Sequence, residues 1–205
     1  MTCCFQRARS PEQKAERRAQ ILEAAAEAIA KQPFQSIVLA DIARKSGVTK
    51  AALYRYFPSK EALFLALYLG ELERLTEGMV LGDGPMWAQL SSLLSDHPLF
   101  CRLTAILHSV LEQNLDEEQA IAFKQALFRH FARLSQRLQQ HYGLPEEQVL
   151  TYLLQVQQSI IGCWIMSHPA PLVERVIARP PLDVFRVDFT KALAAQLKAL
   201  QEALP

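Results

Sequence analysis

Residues 39–60 of this 205-residue chain read LADIARKSGVTKAALYRYFPSK. The stretch has the pattern of two short helices, Leu39–Ser46 and Thr49–Phe57, with a glycine turn between them. Gly47 supplies the positive φ that a tight turn requires, and Ala43 is small enough for the two helices to approach closely. Three apolar residues supply the shared core: Ile42, Val48 and Leu53. The spacing predicts a helix-turn-helix.

The second short helix of such a motif enters the major groove of DNA by its N-terminal end. Here that end offers a hydroxyl, a cation and a small side chain, which suit base edges or the adjoining phosphates. Two tyrosines further along can place hydroxyls on the DNA backbone, and a lysine opens the next helix, whose free N–H groups can face a phosphate. We therefore expect six residues to contact DNA: Thr49, Lys50, Ala51, Tyr54, Tyr56 and Lys60.

The charge distribution agrees with a nucleic-acid partner. The whole sequence has 22 Lys and Arg against 21 Asp and Glu, and its formal net charge is +1. When the chain is divided after Lys60, residues 1–60 carry +6 and residues 61–205 carry −5. A near-neutral total thus conceals a basic head and an acidic body. This asymmetry predicts a polyanion-binding module joined to a body with another task.

Composition and periodicity predict an all-α protein. Half of the residues are hydrophobic and Gly is scarce, which excludes collagen-like and disordered chains. A first helix is expected over Pro11–Ala30, with Ser10 as its cap and Pro33 beyond its end. Further helices are expected near these positions: Ser59–Val80, Trp87–Leu94, Pro98–Gln113, Glu117–His141, Val149–Met166, Leu172–Ile177 and a last one from Asp183.

Membrane and secretory classes are not expected. No apolar run approaches the ~20 residues that a membrane-spanning helix needs. The N-terminal segment carries arginines after only a brief apolar start, unlike a signal peptide. The sequence therefore predicts a soluble, cytoplasmic protein without a membrane partner.

Residues Asp41–Leu63 resemble the DNA-binding domain of the TetR/AcrR family of bacterial transcriptional regulators, and the resemblance extends over residues 11–65. Its most specific part is GVTK, then LYRYF, then Lys60-Glu-x-Leu. The resemblance implies a three-helix DNA-binding head, residues 1–60, and a helical effector-binding and dimerisation body, residues 61–205. It also implies a homodimer joined through the last two long helices. Such proteins usually repress, and they leave a palindromic operator when a small molecule binds.

Two positions depart from the family pattern. Family members commonly have Gly where Pro33 stands, and Ser or Thr where Val38 stands. The latter residue caps the second helix and touches a phosphate, and Val38 can do neither. We expect Ser36 to substitute as the cap, and we leave Val38 out of the DNA contacts.

A basic arm precedes the motif and is longer than the family minimum. Its cations are Arg7, Arg9, Lys14, Arg17 and Arg18. A solvated tail is favoured over an arm that reaches into the minor groove.

The apolar surplus of Val149–Met166 and Phe189–Leu200 favours dimerisation. The effector, a largely apolar small molecule, is expected to bind among the helices between Trp87 and Met166, although an ordinary core role is favoured for any single residue there. His108 is the expected polar contact. The candidate effector-binding residues are Trp87, Phe100, Cys101, His108, Phe123, Leu127, Cys163, Trp164 and Met166.

Catalytic and metal sites are not expected. The five histidines never fall three or four residues apart, and the sequence has no Gly-rich phosphate loop. Cys3 and Cys4 are expected to be inert and exposed, while Cys101 and Cys163 are typical of small core residues. No cofactor is predicted. Two alternatives stay open: a helical small-molecule binding protein or enzyme that keeps a vestigial DNA-binding head, and a non-specific architectural DNA binder.

Overall fold

The computed structural model describes residues 10–204. Four residues considered above, Cys3, Cys4, Arg7 and Arg9, lie outside this range. The described part is helical and contains no strand, which confirms the predicted all-α class. Its α-helices are α1 Pro11–Lys31, α2 Leu39–Lys45, α3 Lys50–Tyr56, α4 Lys60–Gly78, α5 Met86–Ser95, α6 Pro98–Ile106, α7 Glu117–Tyr142, α8 Glu146–Ser167, α9 Pro171–Ile177 and α10 Phe189–Glu202. Two 3₁₀ turns, Phe34–Ser36 and Leu182–Phe185, and one π-helical turn, Leu107–Leu111, complete them.

The first helix begins and ends as its sequence predicts. The Ser10 hydroxyl accepts the N–H of Gln13 at 3.2 Å, and the Gln13 side chain accepts the N–H of Ser10 in return. This reciprocal cap satisfies donors that a helix N-terminus otherwise leaves free. The buried stripe of α1 includes Ile21, Ala25 and Ile29. Lys14, Arg17 and Arg18 lie within α1, so these three cations belong to a helix and not to a solvated tail.

α4 joins the N-terminal helices to the rest of the chain. It packs against α1 and also against α6 and α7. Its residues Leu63, Phe64 and Leu67 are fully buried. As a result, the buried apolar residues form one continuous cluster from Ile21 in α1 to Leu197 in α10.

α8 lies at the centre of the C-terminal bundle, in contact with α6, α7 and α10. It is long and apolar enough to cross a membrane by length and composition alone. Its apolar character is explained by burial, because Val149, Leu153 and Ile160 pack inside the bundle. A second apolar face of the same helix is open to solvent, where Leu154 and Ile165 are 54% and 57% exposed.

Two helices differ most from their predicted bounds. The last helix begins at Phe189 and not at Asp183, because Asp188 supplies the cap by accepting the N–H of Lys191 at 2.9 Å. The predicted helix Pro98–Gln113 is α at first and then widens into the π-helical turn.

Candidate functional site

The turn between α2 and α3 has the geometry that the sequence predicts. Gly47 has φ +65°, in the left-handed region that favours glycine. Its N–H donates to the carbonyl of Arg44 at 3.2 Å, and the N–H of Val48 donates to the carbonyl of Ala43 at 2.9 Å. The predicted core of the motif is buried: Ile42, Ala43, Val48 and Leu53.

α3 presents its N-terminal end to solvent. The Thr49 hydroxyl accepts the N–H of Ala52 at 3.1 Å and so caps the helix. Its own O–H hydrogen stays available to an acceptor outside the protein. Lys50 and Ala51 are both exposed, and the Lys50 ammonium lies 5.9 Å from the ring centroid of Tyr54. A hydroxyl donor, a cation and a small side chain therefore share one open end of the helix.

The two tyrosines of α3 differ in exposure. Tyr54 is 42% exposed on the same open face, whereas Tyr56 is half-buried against the core. Arg55, which is not among the six predicted contacts, is exposed beside Tyr54. Its position one residue after Tyr54 on a seven-residue helix was the signal that could have identified it.

Lys60 lies apart from the open face. Its ammonium donates to the backbone carbonyl of Phe34 and stands 4.2 Å from the centroid of the Phe34 ring. Burial lowers the pKa of Lys60, although the neighbouring Glu61 carboxylate opposes the change. Of the six residues predicted to contact DNA, Lys60 is the one whose charged group already binds a backbone carbonyl of its own chain.

The N-terminus of α2 corrects one expectation. Val38 is the N-cap residue and is 55% exposed, and no side chain caps this helix. Ser36 lies in the preceding 3₁₀ turn and does not serve as the cap, because α2 begins three residues after it. Pro33 directly precedes that turn and has φ −66°, a value that suits its ring.

Several other cations of the N-terminal helices already have partners. Arg44 pairs with Asp41 at 2.7 Å, and Lys45 pairs with Glu27. The Lys45 contact holds the pKa of Glu27 below its usual range. The positive charges that remain exposed on α3 are those of Lys50 and Arg55.

A second feature is an apolar cavity inside the C-terminal bundle. Its volume is about 40 Å³, room for one to three waters. Five helices line it: α4, α5, α6, α7 and α8. The lining residues are Tyr68, Leu72, Leu75, Leu90, Leu93, Leu94, Phe100, Thr104, Phe131, Leu134, Leu153, Val156, Gln157 and Ile160.

Of the nine residues expected to bind an effector, Phe100 alone lines this cavity. Phe123 is close, with its ring centroid 6.2 Å from that of Tyr68. Trp164 stacks on His168 at 3.9 Å, away from the lining. The ring of Trp87 faces the Lys198 ammonium at 5.9 Å.

The other candidates fill ordinary positions. Met166 is 63% exposed and Leu127 is half-buried. Cys101 and Cys163 are free and buried, and burial raises the pKa of the Cys101 thiol to about 12. His108 is exposed and pairs with Glu112 at 3.0 Å. Within residues 10–204, no group of three or more His, Cys, Asp or Glu is placed to hold a metal ion.

Two family models match the chain. The one described as "Bacterial regulatory proteins, tetR family" covers residues 21–67. The one described as "Tetracyclin repressor-like, C-terminal domain" covers residues 71–202. Among curated proteins, nucleoid occlusion factor SlmA of Alteromonas mediterranea is 52% identical over 54 residues. That match spans 26% of this chain and only 28% of the relative.

Solved structures share the whole architecture. A tetR-family transcriptional regulator from Streptomyces coelicolor aligns with TM-score 0.60 and 15% identity, over 92% of this chain and 80% of that one. A TetR transcriptional regulator from Rhodococcus sp. RHA1 aligns with TM-score 0.58 and 20% identity, over 92% and 96%. At such identities the likeness establishes the fold alone. Since the two family models together cover most of residues 21–202, the chain belongs to the TetR family of bacterial regulatory proteins.

Proposed function

We propose that the protein is a sequence-specific DNA-binding transcriptional regulator that acts as a homodimer and represses transcription from a palindromic operator. The observation that carries the proposal is the open N-terminal end of α3. Thr49, Lys50 and Ala51 are not covered there by any of residues 10–204, and Tyr54 continues the same face. A helix-turn-helix places this end against base edges.

The charges support a division of labour between the two parts. The head, residues 1–60, carries +6, and the body, residues 61–205, carries −5. A basic head is drawn to the phosphate backbone, and an acidic body is repelled by it. DNA therefore meets the protein through the head, which leaves the body for dimerisation and effector binding.

The proposed dimer face comprises the exposed apolar residues of α8 and of the segment that follows it. α10 was expected to share this face, but its Leu193 and Leu197 are buried inside their own chain. Neither α9 nor the 3₁₀ turn Leu182–Phe185 buries any residue. The residues of the face are Leu154, Ile165, Met166, Leu172, Val173, Val176, Leu182, Val184 and Phe185. Exposed apolar residues gathered in one segment of the chain are typical of a protein interface, and a second copy related by two-fold symmetry can cover them.

The effector is proposed to be a largely apolar small molecule that enters the cavity of the body. It would act by population shift: a ligand that binds better to a body geometry with wrongly spaced heads lowers operator affinity by that difference. We propose no catalytic role, and we place the protein in the cytoplasm, where the bacterial chromosome lies.

Selection of bound fragments from random DNA tests the proposal most directly. A palindromic consensus with half-sites about one helical turn apart, or a multiple of it, is expected from a symmetric dimer. A double variant, Lys50→Ala with Tyr54→Ala, provides the control and should enrich no consensus. Recovery of unenriched sequences by the unaltered protein would refute sequence-specific binding. A single asymmetric half-site would refute the dimer alone.

A further inference from the structure

The exposed side of α8 carries a regular seam of residues. Leu154 and Ile165 on this side are 54% and 57% exposed, although both are apolar. The seam positions alternate at spacings of three and four along the sequence, which keeps them in one line on a helix. The same alternation forms the contact seam of a two-stranded coiled coil. The seam residues are Thr151, Leu154, Gln158, Ile161 and Ile165, of which Ile161 is half-buried and the others are exposed.

The seam is uncharged, which limits the partners that it suits. No residue from Gln148 to Ser167 carries a charge. Exposed positions on other helices differ, since Arg129 and Arg133 lie on α7 and Lys198 lies on α10. A two-fold contact brings a surface against its own copy, so a charged face would meet its own charge. An uncharged apolar seam on a body of net charge −5 therefore fits a second copy of this chain.

Gly162 lies beside the seam and lets another helix come close. It is exposed in the interior of α8, where glycine weakens a helix relative to alanine. A Cβ added there meets no atom within 4 Å, so packing within residues 10–204 does not require glycine at this position. The distance between two packed helices depends on the size of the side chains at their contact. The residue type thus favours a contact with a helix from another chain.

Gln158 lies at the midpoint of the seam, seven residues from Thr151 and seven from Ile165. It is exposed, and none of residues 10–204 forms a hydrogen bond with its amide. An amide has two N–H donors and an oxygen acceptor, so one amide can donate to a second and accept from it. At the midpoint of a symmetric helix pair a residue meets its own copy, whether the two helices run parallel or antiparallel.

We infer that α8 pairs along this seam with α8 of a second copy, and that Gln158 lies on the two-fold axis, where its amide forms hydrogen bonds with the Gln158 amide of that copy. This contact fixes the register of the pair, because a slip would leave both amides without a partner among the apolar seam residues. The inference rests on the proposed homodimer and goes further by naming the residue at its axis.

The register of the two α8 helices has a consequence for DNA binding. In each chain the buried apolar residues are continuous from α1 to α10, so the body carries its own head with it. The seam therefore determines how far apart the two α3 helices lie. A slip of one helical turn would displace one body along the other by about 5 Å.

An exchange of charges at the axis tests the inference, with sedimentation equilibrium of the full chain as the measurement. Gln158→Glu and Gln158→Lys should each raise the dimer dissociation constant roughly 100-fold, because like charges meet at the axis. An equal mixture of the two variants should dimerise within roughly tenfold of the unaltered protein, because a carboxylate then meets an ammonium. Gln136 on α7 is exposed and lies outside the seam. Gln136→Glu and Gln136→Lys are the matched controls and should leave the dissociation constant unchanged, separately and mixed.

Oxidative cross-linking locates the axis independently of charge. Gln158→Cys is combined with Cys3→Ser and Cys4→Ser, so that the two remaining cysteines are buried ones. A cysteine on the axis can reach its own copy, since a disulfide needs two Cα atoms about 4.4–6.8 Å apart. Gln158→Cys should therefore form a covalent dimer in most of the protein, and Gln136→Cys in the same background should form none.

Two results would overturn the inference while the homodimer stands: charge variants of Gln158 that dimerise as tightly as the unaltered protein, or a Gln158→Cys variant that cross-links no more than Gln136→Cys. An unaltered chain that sediments as a monomer would refute the proposed homodimer as well, and would assign the seam to a partner of another kind. Because no DNA is present in either experiment, their failure is distinct from failure of the DNA selection.

Discussion

The guanidinium of Arg102 in α6 donates to the backbone carbonyl of Ala30, at 3.0 Å, near the C-terminal end of α1. Its second terminal nitrogen donates to the carbonyl of Gln32, also at 3.0 Å. A cation at this end of a helix is favoured by the helix dipole. Burial lowers the pKa of Arg102, so the side chain is partly withdrawn from water. Arg102 of the body thus binds the C-terminal end of α1 in the head.

Replacing this cation should loosen the attachment. Arg102→Met is expected to lower the free energy of unfolding by about 1–2 kcal/mol, because both carbonyls lose a charged donor but stay partly solvated. Urea denaturation measures the change. Arg129→Met, at an exposed position on α7, is the control and should change stability by less than ~0.5 kcal/mol. Equal losses in the two variants would contradict a specific role for Arg102.

Two glycines with opposite requirements allow a matched comparison. Gly47→Ala should destabilise the fold by about 1–2 kcal/mol, because alanine is strained at φ +65°. Gly70→Ala, within α4, should stabilise it by up to ~1 kcal/mol, because a Cβ there meets no atom within 4 Å and alanine favours the helix. Thermal unfolding of the two variants should therefore shift in opposite directions. A Gly47→Ala variant that unfolds at the same temperature as the unaltered protein, or a higher one, would show that the turn tolerates a side chain at position 47.

Lys50 should matter for DNA and not for folding. Lys50→Ala is expected to weaken operator binding by roughly 1–3 kcal/mol if Lys50 reads a base. If it meets only phosphate, the loss should be uniform across sequences, with a shallower salt dependence. The measurement is a fluorescence titration with the selected operator at several salt concentrations. Lys191→Ala, exposed on α10, should leave both quantities unchanged. Full affinity and an unchanged salt dependence in Lys50→Ala would contradict the role of this residue.

A single substitution that introduces a negative charge tests the proposed dimer face. Ile165→Asp should shift sedimentation from dimer toward folded monomer, since a carboxylate buried in an apolar interface lacks a partner. Val80→Asp is the control, because Val80 is 88% exposed between α4 and α5 and lies outside the face. A dimer that survives Ile165→Asp with undiminished affinity would place the contact elsewhere.

The sequence predicts the head of this protein better than its body, for physical reasons. Caps and turns are local: Thr49 caps the helix it precedes, and Gly47 has the backbone conformation that its own residue type favours. The predicted start of the last helix was too early because Asp183 and Asp188 are both suitable cap residues. Asp183 lies in the 3₁₀ turn Leu182–Phe185, and Asp188 is the residue that caps α10.

Contacts between residues far apart in the sequence could not be predicted from the sequence. Arg102 donates hydrogen bonds to backbone carbonyls 70 and 72 residues earlier in the chain, and no sequence pattern indicates a carbonyl as the partner of an arginine. The lining of the cavity was missed for a related reason. Aromatic residues such as Trp164 mark a region rich in apolar groups, but the relative rotation of five packed helices decides which of them face the cavity.

The position of Lys60 above Phe34 changes how the electrostatics of the head should be counted. Binding to DNA gains entropy from the counterions that protein cations displace, so each cation contributes only if it reaches a phosphate. Lys60 donates to a carbonyl of its own chain, while Arg44 and Lys45 face carboxylates. The head therefore releases fewer counterions than its composition implies. If Lys60 left the Phe34 carbonyl and bound a phosphate, the salt dependence of DNA binding would increase by about one released counterion.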